Sequence, residues 1–316
     1  MSNPVFSALL PVVLLIGVGI VAGRAGWIRA EAIKDLSNLV FMVLTPALLF
    51  RTMSTVHVEQ LNFKPVAMYF AATLLLFGAV LFWQGVNRRG AVLALATTFS
   101  NTVMIGIPLI GLAYGQPGLV TLFTLISVHA LVLLTLATVV LEMVAAREAR
   151  AAGQAGQRSM AMTVLAAVKN GIIHPVPLPI IVGLLFAQTG LALPEVMDKP
   201  LHLLGSAFGP VALVLVGVTL TQVQVGSNLK SALGTSLLKN LALPGLVAAL
   251  GLALGMSGLP LTVMVVTASL PTGANVFLFA QRYEVAQDLV TASMAVSTVL
   301  GLATITLVML LVGLMG

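Results

Sequence analysis

Two short stretches of this sequence place helix-breaking and amide-bearing residues in the middle of long apolar runs. The first reads Thr97-Thr98-Phe99-Ser100-Asn101-Thr102-Val103-Met104-Ile105-Gly106-Ile107-Pro108. The second reads Thr267-Ala268-Ser269-Leu270-Pro271-Thr272-Gly273-Ala274-Asn275. Proline removes a backbone donor, and its ring clashes with the carbonyl four residues back. Glycine accepts the unusual backbone angles that follow. A helix broken in this way exposes a new N-terminus, with roughly half an elementary positive charge and unpaired N–H groups. Two such ends facing each other can hold an anion without Lys or Arg. In lipid a break persists only inside protein or beside a water-filled cavity. Asn and Ser side chains can partner the freed backbone groups. Either proline alone also fits an ordinary kink. The pair, each with an Asn close by, points to a binding site. The candidate residues are Asn101, Ile105, Gly106, Pro108, Pro271, Thr272, Gly273 and Asn275.

Few titratable groups fall inside the apolar runs, and such groups are functional candidates by default. His129 lies midway along one run, with Thr124 and Ser127 nearby. Its imidazole can carry a proton or bond a carboxylate, or it can stand neutral against a neighbouring carbonyl. Lys239 lies a turn or two into another run, where snorkelling to the interface accounts for it. Glu142, His174 and His202 sit near run ends and read as interfacial. No Asp or Glu falls near either break. That counts against a tight sodium site, which favours carboxylate and carbonyl oxygen, and against a carboxylate proton relay. It favours an anionic substrate. No zinc-protease, Walker A or Ser/His/Asp pattern is present, and the chain has no Cys. The expectation is a protein that is not an enzyme and takes no cofactor or metal.

The elements that must position these residues follow from composition. The 316-residue chain is 59% hydrophobic and 8% charged, against about 25% charged in soluble domains. That fraction cannot cover a water-facing surface. A helix crossing the hydrocarbon core needs about 20 mostly apolar residues. Ten stretches qualify: 5–23, 36–54, 65–86, 91–113, 118–142, 176–193, 202–222, 234–255, 260–281 and 289–314. None alternates as a membrane β-strand would. The first has no basic residue before it and so does not read as a signal peptide. One set of alternate loops carries 11 Lys and Arg and the other carries 3, with Lys239 set aside inside its stretch. The positive-inside rule makes the first set cytoplasmic. Both termini then lie outside, and the net charge of +6 is a topology signal rather than one for nucleic acid.

The polar stretch Ala145–Ser159 divides five stretches from five and reads as a plain cytoplasmic linker. The two halves show weak self-similarity at an offset of about 164 positions. Val18-Gly19 meets Val182-Gly183, Pro46 meets Pro210, and Pro108 meets Pro271 one residue out of step. Five is odd, so the second half enters the membrane from the opposite side. The expected architecture is an all-α polytopic membrane protein of ten helices in two inverted five-helix repeats, residues 1–144 and 161–316, joined by 145–160. Such a fold has two near-equivalent states, one open to each side. Pro11, Pro46, Pro210 and Pro244 read as kinks. Gly19/Gly23, Gly205/Gly209 and Gly251/Gly255 have the spacing that lets helices pack closely.

The stretch Asn101–Gly115, NTVMIGIPLIGLAYG, resembles the fourth-span motif of the auxin efflux carrier family, which holds plant carriers and bacterial malonate and malate transporters. Leu36–Arg51, Lys239–Pro244 and Ser269–Phe279 agree with it, so the resemblance covers nearly the whole chain. It implies a scaffold of spans 1, 2, 6 and 7, often a homodimer interface, and a moving domain of spans 3–5 and 8–10. Spans 4 and 9 would cross at their prolines and hold the anion near Asn101, Pro108, Pro271 and Asn275. His129 stands where plant members carry other polar residues. The expected function is a secondary carrier in the cell inner membrane for a mono- or dicarboxylate such as malonate or malate. It would work by elevator-type alternating access, with His129 as the proton-coupling candidate. An anion channel and an efflux carrier for an auxin-like aromatic acid are the alternatives.

Overall fold

The computed structural model describes residues 4–151, 160–172, 175–223 and 225–313. Among them every regular element is helical. The α-helices are α1 (Pro4–Arg24), α2 (Ala32–Leu39), α3 (Thr45–Met53), α4 (Phe63–Gln84), α5 (Arg88–Ala96), α6 (Ile107–Ala151), α7 (Met160–Ile172), α8 (Pro177–Ala187), α9 (Glu195–Leu220), α10 (Leu229–Leu237), α11 (Leu243–Ala253), α12 (Gly258–Ser269), α13 (Asn275–Arg282) and α14 (Gln287–Gly313). Among the described residues seven helical segments are long and apolar enough to cross a membrane: Ser7–Arg24, Ala32–Met53, Phe63–Gln84, Thr102–Glu148, Glu195–Leu220, Leu229–Ala253 and Gln287–Gly313. Pro177–Ala187 and Gly258–Ser269 are apolar but shorter.

The segment Thr102–Glu148 has 47 residues. A straight helix of that length would span about 70 Å, more than twice the hydrocarbon core. It turns at Gly115, whose φ of 58° and ψ of −154° leave the helical region, and Pro117 follows. Helix α6 also runs on to Ala151, so the first part of the stretch read as a linker is helical. Residues 152–159 of that linker lie outside the described residues, as does His174. Helix α7, which precedes the sixth apolar stretch, packs along α6 and was not legible as an element.

Among the described residues three π-helical turns lie in the long helical segments, within them at Val40–Leu44 and Leu238–Ala242 and at the start of one at Thr102–Gly106. Each ends two residues before a proline: Pro46, Pro108 or Pro244. The wider turn moves the carbonyl that the pyrrolidine ring would otherwise strike. Pro210 sits within α9 without such a turn.

Two groups of helices emerge from the packing. In one, α1 lies along α9, and α3 lies against α8 and α9. A Cβ on Gly19 of α1 would overlap the Val214 carbonyl of α9, and one on Gly217 would overlap the Ile16 carbonyl. The two backbones touch there. Arg51 on α3 and Asp198 on α9 form a two-pronged ion pair, Nε to Oδ1 at 2.7 Å and Nη2 to Oδ2 at 3.1 Å. In the other group, α4 packs on α5 and α11, α12 packs on α11, α6 and α14, and α10 packs on α14. Arg88 pairs with Glu148 at 2.7 Å. Tyr283 donates to Glu142 at 2.8 Å. Burial, then the Glu142 carboxylate, raises the Tyr283 phenol above its ordinary pKa.

Candidate functional site

Helix α5 ends at Ala96, and the chain runs without α-helix from Thr97 to Asn101. Helix α12 ends at Ser269, and α13 begins at Asn275. These two non-helical segments lie antiparallel and pair at Ser100 and Thr272. The Asn101 N–H donates to the Pro271 carbonyl at 2.8 Å, and the Gly273 N–H donates to the Phe99 carbonyl at 2.9 Å. A Cβ at Gly273 would sit 2.8 Å from the Phe99 ring and 3.1 Å from the Ser100 carbonyl, so the close approach requires glycine.

The interrupted helices leave carbonyls at their C-terminal ends, and side chains take them up. Thr272 Oγ1 donates to the Ala96 carbonyl at 2.8 Å, closing the end of α5. Lys239 Nζ donates to the carbonyls of Ala268 and Leu270, at 2.6 and 2.7 Å, closing the end of α12. Ser297 on α14 accepts from Thr272 N through Oγ at 3.1 Å and from Asn240 Nδ2 through its carbonyl at 2.7 Å. At the N-terminal side of the first break, Asn101 Oδ1 accepts from Met104 N at 3.2 Å, an N-cap bond.

The structure brings Asn101, Pro271, Thr272 and Gly273 together at the pairing. Ile105 and Gly106 are buried, and a Cβ on Gly106 would lie 2.8 Å from Leu270 Cδ1. Asn275 opens α13 and lines the same cavity as Asn101. Pro108 lies elsewhere. It is buried against Gly209 of α9, and the first break falls at Thr97–Asn101, before the π-helical turn that precedes this proline. Its ring shapes that turn, whereas Pro271 stands within the second break itself.

A cavity of about 600 Å³ adjoins the pairing. Asn101, Met104, Thr272 and Asn275 line it from the two breaks, Asn38 from α2, and Thr298 from α14. No charged side chain lines it among the described residues. Its polar surface is made of amides and hydroxyls, and the N-terminal residue of α13, Asn275, is part of it.

His129 is wholly buried and is not among the residues lining the cavity. Its Nε2 lies 3.4 Å from Tyr69 Oη, and Tyr69 Oη lies 3.1 Å from Ser100 Oγ. The Phe99 ring centroid is 4.8 Å from that of His129. Thr124 and Ser127 bond to carbonyls of their own helix instead. The imidazole is thus tied to the first break through Tyr69, a residue that sequence reading did not single out.

Lys239 does not snorkel. It is 0% exposed and reaches inward to α12. The two carbonyls freed at the end of α12 give its amine partners inside the protein, which a lysine beside an unbroken helix would lack. The signal for it in the sequence was the presence of a Lys-Asn pair in an apolar run.

The sequence matches the membrane transport protein family over residues 4–309. It is 26% identical over 306 residues to a protein of Rhizobium meliloti (strain 1021) described as a "Putative malonate transporter", covering 94% of this chain and 92% of that one. It is 23% identical over 300 residues to the "Uncharacterized transporter YfdV" of Escherichia coli (strain K12), covering 92% and 91%. The Shigella flexneri protein of the same description matches equally.

Proposed function

Because this chain belongs to the membrane transport protein family, that of the auxin efflux carriers, we propose that it is a secondary carrier of a small organic anion. It is a transporter and not an enzyme. The observation that carries the reading is the uncharged cavity bounded by Asn101, Thr272 and Asn275. A carboxylate there accepts from the side-chain amide and the backbone N–H of Asn275, and Asn101 and Thr272 border it. The substrate class is a mono- or dicarboxylate, malonate or malate among them. The description of the Rhizobium meliloti relative supports malonate.

The transport cycle follows from the two groups of helices. The chain crosses the inner membrane ten times as two inverted repeats, with both termini outside and the linker cytoplasmic. Helices α1–α3, α8 and α9 are the scaffold, and homodimers form through it. Helices α4–α6 and α10–α14 carry the anion past it in an elevator movement. Ser37, Gln222 and Thr291, which lie beside the basic loops, also line the cavity. It therefore opens toward the cytoplasm in this state. His129, through Tyr69 and Ser100, couples the cycle to a proton.

A second reading is favoured by the apolar part of the wall. Phe41, Met42 and Phe277 line the cavity, and they suit the ring of an auxin-like aromatic acid. One experiment addresses both. The purified protein is melted against a panel holding malonate, malate, other short carboxylates and indole-3-acetate. The best ligand is then followed into proteoliposomes, where a carrier shows counterflow stimulated by unlabelled substrate. Uptake without counterflow would indicate a channel and defeat the carrier reading. A panel that raises the melting temperature with no carboxylate would defeat the anion site.

A further inference from the structure

We infer that Lys239 is a tethered cation, its ammonium filling the oxygen site that a mobile metal ion would otherwise take at the C-terminal end of α12. The inference rests on the carrier reading above but stands on separate atoms. Lys239 lies on the π-helical turn Leu238–Ala242 and is 0% exposed. Its Nζ reaches the Ala268 and Leu270 carbonyls, at 2.6 and 2.7 Å, on either side of the last residue of α12.

Carbonyl oxygens at the end of an interrupted helix, carrying the negative end of its dipole, are what an alkali cation seeks inside a membrane protein. Two more oxygens adjoin these residues in the sequence. Asn240 Oδ1 and Thr267 Oγ1 are buried without a hydrogen-bond partner, and both residues are 0% exposed. The chain carries no Asp or Glu from 199 to 283. A free ion there would find only neutral oxygens from these helices. A covalently held ammonium meets the same dipole without having to be captured. The amine stays at that helix end through the whole cycle, and sodium is not required.

The test compares melting of the purified protein in sodium chloride with melting in N-methyl-D-glucamine chloride, without substrate. The wild type is expected to melt at the same temperature in both. Lys239→Ala removes the amine and opens space beside the Ala268 and Leu270 carbonyls, and sodium should raise its melting temperature by about 4 °C. Lys239→Met refills that space without charge and should show no rise. A sodium-dependent rise in the wild type overturns the inference, and so does a folded Lys239→Ala that ignores sodium. If Lys239→Ala does not fold, wild-type uptake in sodium-free proteoliposomes decides. Undiminished uptake supports a tethered cation, and loss of uptake overturns it. Because the melting comparison contains no substrate, its failure leaves the anion reading untouched.

Discussion

Asn101 donates its backbone N–H to the carbonyl of Pro271 at 2.8 Å, although the two residues belong to opposite halves of the chain. Neither break is complete by itself. Each leaves backbone groups that have no partner in lipid, and each supplies partners for the other. The crossing, and with it the proposed anion site, is therefore a product of assembly and cannot form in either half alone.

That mutual fit has a narrow tolerance. Gly273→Ala places a methyl against the Phe99 ring and the Ser100 carbonyl. Overpacking of this kind costs about 1–3 kcal/mol. The variant should melt several degrees lower and transport poorly. Gly78→Ala, where a Cβ meets nothing within 4 Å, is the control and should melt as the wild type or slightly higher. Equal melting of the two variants would contradict the packing described at the crossing.

Asn101 has two separable duties. Its Oδ1 caps the Met104 N–H, and its amide borders the cavity. Asn101→Ala loses both and should lose about 1 kcal/mol of stability with the cap. Asn101→Asp keeps a capping oxygen and adds negative charge. It should melt near the wild type yet lose the stabilisation conferred by carboxylates. Asn275→Ala, which removes no capping bond, should lose uptake with little change in melting. Full uptake in the Asn101→Ala/Asn275→Ala double variant would remove these residues from the site.

Tyr69→Phe keeps the ring and deletes the hydroxyl between Ser100 and His129. Buried polar groups left without a partner cost about 1–3 kcal/mol. The melting temperature should fall accordingly, and uptake should fall with it. Wild-type values on both measurements would show that the Tyr69 link is idle.

The chain contains no Cys, so a single introduced thiol can be read without background. Thr298→Cys, in the cavity wall, should react with a membrane-impermeant thiol reagent applied from the basic-loop side. Bound substrate should slow that reaction. Reaction from the opposite side alone would reverse the orientation given above.

The all-helical, repeatedly apolar character of the chain was legible in the sequence because desolvation of charge and backbone is read residue by residue. Asn101, Thr272, Gly273 and Asn275 were legible for the same reason, as polar or permissive residues in apolar surroundings. What escaped was anything decided by a distant partner. Pro108 marks a missing donor, but the chain gives way before it, where Thr272 and Pro271 offer bonds to Ala96 and Asn101. Lys239 has the stem to reach outward or inward, and only the freed carbonyls of α12 settle the direction. The kink at Gly115 falls in the gap between the fourth and fifth apolar stretches, where Gly115 and Pro117 mark it, whereas the continuation of α6 to Ala151 runs into a stretch whose polar composition reads as linker.

Gly19 and Gly217 press bare backbone on bare backbone. Backbone wedged on backbone leaves no slack at that point, so α1 and α9 hold together as one rigid strut. In the proposed elevator cycle the shear would fall instead where α6 meets α9, as at Pro108 against Gly209, and wear or regulation of the cycle would concentrate at that joint.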